Sequence, residues 1–194
     1  MATVSSPESA LRRHRLSVAA YERMAEVGIL GPESRVELID GEVLDMSPIG
    51  SLHAAVVSRL ARDFIVAIGS AAVVRVQDPL RIDDFNEPEP DLAILAPRED
   101  FYATRHPGPG DTLLVVEVAD SSLAHDLDTK AAVYAGAGIP EYWVIDLAGR
   151  GVVLFSDPRG SVYETRRTHR TGELIQPARL PACAVDPLAM LRQP

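Results

Sequence analysis

One glutamate sets the terms on which this chain can fold. The stretch from Leu113 to Asp146 reads LLVVEVADSSLAHDLDTKAAVYAGAGIPEYWVID, and Glu117 stands in its first apolar run between Val116 and Val118. A continuous apolar run of this kind suits a strand covered on both faces. A carboxylate there is costly unless something pairs with it. The same stretch offers a partner. A helix over residues 124–137 carries Asp126, Lys130 and Tyr134 four residues apart, on one ridge. If that ridge faced solvent, its Asp–Lys pair would contribute only ~0.3–0.5 kcal/mol. If Lys130 leans toward the strand it meets Glu117, where it can orient or deprotonate a water or balance charge on a phosphate.

The remaining segments place other acids near this one. Residues 17–28 form a first helix, with Ser17 as its cap. Arg35 to Met46 reads as a hairpin about a tight Asp40-Gly41 turn, with Glu37 on its first strand. Residues 50–69 make the longest helix, capped by Ser51, with an apolar stripe of Val56, Val57, Leu60, Phe64 and Ile68. A strand is expected over 73–82. Another, over 91–96, opens on Asp91 directly after Pro90. Residues 97–110 form an irregular loop. Strand 141–146 carries Tyr142 and Trp143 into the core or an interface. A second hairpin pairs 151–155 with 161–166 across 157–160, and the apolar segment LPACAVDPLAML docks back on the body. Strands separated by helices predict an α/β (α+β) fold with a mixed central sheet flanked by helices. Residues 1–15 are expected to be a flexible tail and 16–194 one domain.

Composition narrows the function. The 194 residues carry a formal net charge of -9. Such acidity disfavours broad, non-specific binding to a polyanion. The best basic run, Arg166-Arg167-Thr168-His169-Arg170, reads first as a solvated strand end, with phosphate contact as the alternative. Arg12, Arg13 and Arg15 make a weaker patch. A single cysteine, Cys183, excludes an intrachain disulfide and a Cys-rich zinc site. No apolar run approaches the ~20 residues of a membrane helix, and the first fifteen residues lack a secretory core. The expected setting is cytoplasmic, away from membranes.

Glu37, Asp91 and Glu117 stand out by context. Two or three carboxylates plus a backbone carbonyl suit a hard cation such as Mg²⁺ or Mn²⁺. Such an ion neutralises phosphate oxygens and generates hydroxide near neutral pH. Pro90-Asp91 followed 26 residues later by Glu117-Val118 resembles the signature of the PD-(D/E)XK nuclease superfamily. That signature places its lysine two residues after the second acid, where this chain has Ala119. Lys130 resembles the migrated lysine of one branch, the Uma family of restriction-endonuclease-like proteins. VELIDGEVLDMSPIGSLHAAVVSRL, EPDLAIL and the Leu113–Asp146 block all resemble that family, so the likeness spans nearly the whole chain.

The resemblance implies a restriction-endonuclease-like core. It implies a metal held by Asp91, Glu117 and the carbonyl of Val118, with Glu37 as accessory acid and Lys130 as catalytic lysine. It also places Gln77 near the site, leaves Asp126 and Tyr134 as accessories, and implies a DNA substrate, with RNA left open, cut by a homodimer. One departure is Ala119-Asp120, where many relatives carry Leu-Ser-Pro, and the role of Asp120 is open. His53 can face either the cleft or solvent, and His125 is expected in solvent. A catalytically silent binding module and a hydrolase of another phosphorylated substrate are the competing readings.

Overall fold

The structure is a computed structural model and describes residues 13–31, 33–170 and 172–191. Its centre is β5 (Thr112–Ala119), the strand that carries Glu117. With β3 (Val73–Val76), β4 (Leu92–Leu95), β6 (Glu141–Asp146), β7 (Gly151–Arg159) and β8 (Val162–His169) it forms a six-stranded sheet in the order β3-β4-β5-β6-β7-β8. The β5–β6 pair is parallel and every other pair antiparallel. The sheet is therefore mixed, as expected. A parallel pair needs a crossover, and here the helical segment after β5 provides it.

That crossover is not one regular helix. It runs as α3 (Leu123–His125), a wide π turn (Asp126–Lys130) and α4 (Ala131–Gly136). The π turn holds an extra residue per turn, a feature frequent at functional sites. Asp126, Lys130 and Tyr134 still share a face, and that face is buried.

Alternation along β5 sorts its side chains between two cores. Leu114, Val116 and Val118 face α2 (Ser51–Ile68), whose stripe of Val56, Val57, Leu60, Phe64 and Ile68 is buried against them. Trp143 joins this core with its ring 6.0 Å from that of Phe64. Val115 and Ala119 lie in the other core with Tyr134, Ile139 and Tyr142. Glu117 falls on this second side by its parity. The C-terminal segment docks as expected, with Ile175, Cys183, Val185 and Leu188 buried in the α2 core.

The α1 helix (Val18–Glu26) is capped as predicted by Ser17, whose Oγ accepts from the Ala20 amide. For α2 the cap is Gly50, and Ser51 is the first helical residue. β1 (Val36–Ile39) and β2 (Glu42–Asp45) form a separate hairpin whose turn residues, Asp40 and Gly41, both have positive φ. Arg15 packs so close to Gly41 that a Cβ there would lie 2.6 Å from the Arg15 Cβ. Arg13 pairs with Glu42, and Arg15 bonds Asp40 with its guanidinium over the Phe85 ring. Arg12 lies outside the described residues.

Two strand limits depart from the sequence reading. The strand expected over 73–82 stops at Val76, because Gln77 takes a positive φ of 52° and turns its amide to the Pro90 and Asp91 carbonyls. In the second hairpin the strands reach Arg159 and Val162, so the turn is Gly160-Ser161. The loop over 97–110 is irregular as expected. It is pinned by Tyr102, which is buried and donates its hydroxyl to the Ala96 carbonyl. Among the described residues no helix is long and apolar enough to cross a membrane.

The connector before β4 fastens the hairpin to the body. Asn86 accepts from the Asp40 amide, and Leu38 and Glu87 exchange backbone hydrogen bonds. Glu87 is 4% exposed and its Oε2 has no partner among the described residues. Burial raises its carboxyl pKa to about 7. The folded state then holds this proton more tightly than the unfolded chain, so stability falls as pH rises from the ordinary carboxyl range through 7. Glu87→Gln removes that penalty. We expect the variant to unfold at a higher temperature than wild type at pH 8, with the difference vanishing near pH 4.5, as read by thermal denaturation.

Candidate active site

β5 runs on past the point where β4 begins, and the site grows from that mismatch. The last β4–β5 pair is Leu92 with Val116. Beyond it two side chains take over the ladder. The Asp91 amide donates to Glu117 Oε2 at 3.2 Å, and the Val118 amide donates to Asp91 Oδ2 at 2.8 Å. Both carboxylates are thereby fixed against backbone. Asp91 is held further by Gln77, whose Nε2 donates to Oδ1 at 3.0 Å, and by His53, whose Nε2 lies 3.1 Å from Oδ2. The positive φ at Gln77 that ends β3 is what brings its amide here.

Lys130 completes the set. Its Nζ lies 2.9 Å from Glu37 Oε2 and 3.0 Å from Glu117 Oε1. Tyr134, one turn on, donates its hydroxyl to Glu117 Oε1 at 3.1 Å. Lys130, Glu37, Glu117 and Asp91 are 5%, 5%, 4% and 7% exposed. They are therefore a buried cluster, not a solvated ridge. Burial works against the Lys130 charge, but Glu117, Glu37 and Asp126 outweigh it and hold the ammonium well above the ordinary lysine range. Lys130 is thus held in its charged form by the acids around it. Burial likewise raises Glu117 to about 8, against the pull of Lys130, and raises Asp126. A hydrogen bond to Asp91 raises His53.

These groups open on a cavity of about 370 Å³. The sequence reading left His53 between cleft and solvent, and the structure puts it on the cavity. It expected His125 in solvent. Instead His125 lines the same cavity, and its Nε2 is buried without a partner among the described residues. Asp126 is also on the wall, bonded to Ser122 at 2.6 Å. Asp120 lines it too. The basic run on β8 lies on the far edge strand, away from the cavity wall. Three charged lining residues escaped the sequence reading, Arg35, Asp45 and Glu89. Glu89 had a signal: it precedes Asp91 by two in the stiff Glu87-Pro88-Glu89-Pro90 connector, and extended backbone repeats every two residues.

A divalent cation fits this donor set. Seven carboxylates line the cavity against two permanent cations, Arg35 and Lys130. His53 Nδ1, like His125 Nε2, is buried and unpartnered among the described residues. No three acidic, His or Cys side chains among those residues form a ready-made cage. Mg²⁺ asks for less, since it is usually held by one or two carboxylates, waters and substrate phosphates.

The model of the Uma2 family, described as "Putative restriction endonuclease", matches residues 18–189. The chain belongs to the Uma2 family. The likeness read from the Leu113–Asp146 block is therefore borne out. A solved structure from Anabaena variabilis ATCC 29413, described as "a putative nuclease belonging to DUF820", has a TM-score of 0.69 over 91% of this chain and 99% of that one, at 12% identity. At that identity the match establishes a shared fold. No curated protein matches the sequence.

Removing one member of a buried ion pair strands the other, at a cost of ~3–5 kcal/mol. Lys130→Met is expected to lose about that much stability at pH 8. Its orphaned carboxylates gain protons more readily when folded, so the loss should shrink as pH falls toward 5. Urea unfolding at both pH values measures it.

Proposed function

We propose that this Uma2-family chain is a metal-dependent endonuclease that hydrolyses phosphodiester bonds of DNA. One observation carries the reading: Glu37, Asp91, Glu117 and Lys130, drawn from four separate segments, meet on one cavity at the end of β5. The restriction-endonuclease description of the family and the nuclease description of the structural relative point the same way.

Asp91, Glu117 and the Val118 carbonyl would hold Mg²⁺ or Mn²⁺. Such an ion supplies Lewis-acid neutralisation of a phosphate and an activated water. The protein's own part is positioning. Gln77 and His53 orient Asp91, and Tyr134 orients Glu117. Glu37 helps to keep Lys130 charged, and Lys130 sets a permanent positive charge beside the reacting phosphate. A two-fold dimer, one site per DNA strand, completes this reading. A dimeric mass by light scattering at micromolar concentration supports it, and a monomeric mass removes it.

The nuclease test is nicking of supercoiled plasmid in Mg²⁺ or Mn²⁺ by wild type, Asp91→Asn and Glu117→Gln. Both substitutions are near-isosteric, and because Glu117→Gln removes one of the two carboxylates paired with Lys130, folding of each variant is checked by circular dichroism before rates are compared. Each is expected to lower the rate by ~100-fold, and titration calorimetry should show weakened Mn²⁺ binding. Equal nicking by all three proteins, or none by wild type, removes the assignment.

A further inference from the structure

The cavity has two permanent cations, and they are not equivalent. Lys130 is on the floor, committed to Glu37 and Glu117. Arg35, at the entry to β1, is exposed and on the cavity wall. Some exposed arginines are paired with acids, as Arg62 with Asp63, Arg105 with Asp111 and Arg159 with Glu164, while ones without an acid partner among the described residues, such as Arg166 and Arg170, lie off the cavity wall. Arg35 has no carboxylate within ion-pair distance among the described residues, although seven carboxylates line the same cavity. Its one side-chain hydrogen bond there is a long one, 3.4 Å to the Ser47 carbonyl. Its charge acts on His53 and Glu89, which places it beside both.

A guanidinium left open at the rim of an acidic cavity is a site for an anion. Its planar fork matches phosphate with two parallel hydrogen bonds. The same cavity carries the candidate hydrolytic cluster, so a phosphate at the rim and a phosphate at the floor would belong to one strand. We propose that Arg35 grips a backbone phosphate of the nucleic acid next to the one being cut. This rests on the nuclease reading above and adds a substrate-binding residue to it.

The test uses the full chain and a short fluorescein-labelled DNA duplex in Ca²⁺, read by anisotropy over a range of salt. Plasmid nicking in Mn²⁺ supplies KM and kcat. Arg35→Ala is expected to raise Kd by about 10-fold and to lower the salt-dependence slope by about one. The loss of activity should fall in KM and not in kcat. Arg35→Lys should recover part of the affinity. Arg62→Ala, a paired arginine on the exposed side of α2, is the control and should bind as wild type does. If Arg35→Ala is poorly folded, Arg35→Gln and Arg35→Lys carry the comparison. An unchanged Kd and slope for the Arg35 variants overturns the phosphate contact while leaving a nicking wild type a nuclease. Arg35-dependent binding without any nicking by wild type does the reverse. A wild type that binds no duplex overturns both.

Discussion

Everything at this site depends on one buried ammonium. Lys130 is almost wholly removed from water, and three acids around it are likewise buried. Taking such ions out of water costs several kcal/mol each, repaid only by close geometry and further hydrogen bonds. The repayment here comes from parts of the chain far apart in sequence. Glu37 arrives on a hairpin, Glu117 on the central strand, and Tyr134 from the turn after Lys130. A stability-minded arrangement would have filled this space with apolar side chains. Keeping a charged cluster in the core is intelligible if the charge is needed for chemistry.

The electrostatics make the same point from another side. Acids outnumber permanent cations on the cavity wall, and burial has pushed Glu117 and Asp126 toward their neutral forms. Such a cavity repels a bare polyanion. In the proposed function a divalent cation would offset the excess. The overall charge of -9 counts against broad nucleic-acid binding but not against the local, ion-mediated contact proposed.

Much of this was legible in the sequence, for physical reasons. A glutamate between valines is conspicuous because a buried strand tolerates few charges. The Asp40-Gly41 turn and the α2 stripe are local patterns with strong periodicity, and both hold. Which way Lys130 leans was left open in the sequence, and the structure turns it toward Glu117. What could not be read were features decided by tertiary contact. The positive φ at Gln77 is adopted because its amide finds carbonyls of the β4 entry. The π turn leaves no mark in a four-residue repeat, and the place of His125 on the cavity wall depends on tertiary packing. Arg35 looked ordinary because its meaning lies in the absence of a nearby acid partner, which only the folded arrangement shows.

The hydrogen bond from the Val118 amide to Asp91 has a practical side. Where a sheet ladder continues through backbone carbonyls, an amide proton reports on the pairing of strands. Here the acceptor is a side chain that belongs to the site. That proton can exchange with solvent only when the Asp91 carboxylate releases it. A single backbone amide, read by hydrogen exchange, therefore serves as a built-in gauge of how firmly the acid is held, and any group that draws on the same oxygen will register there.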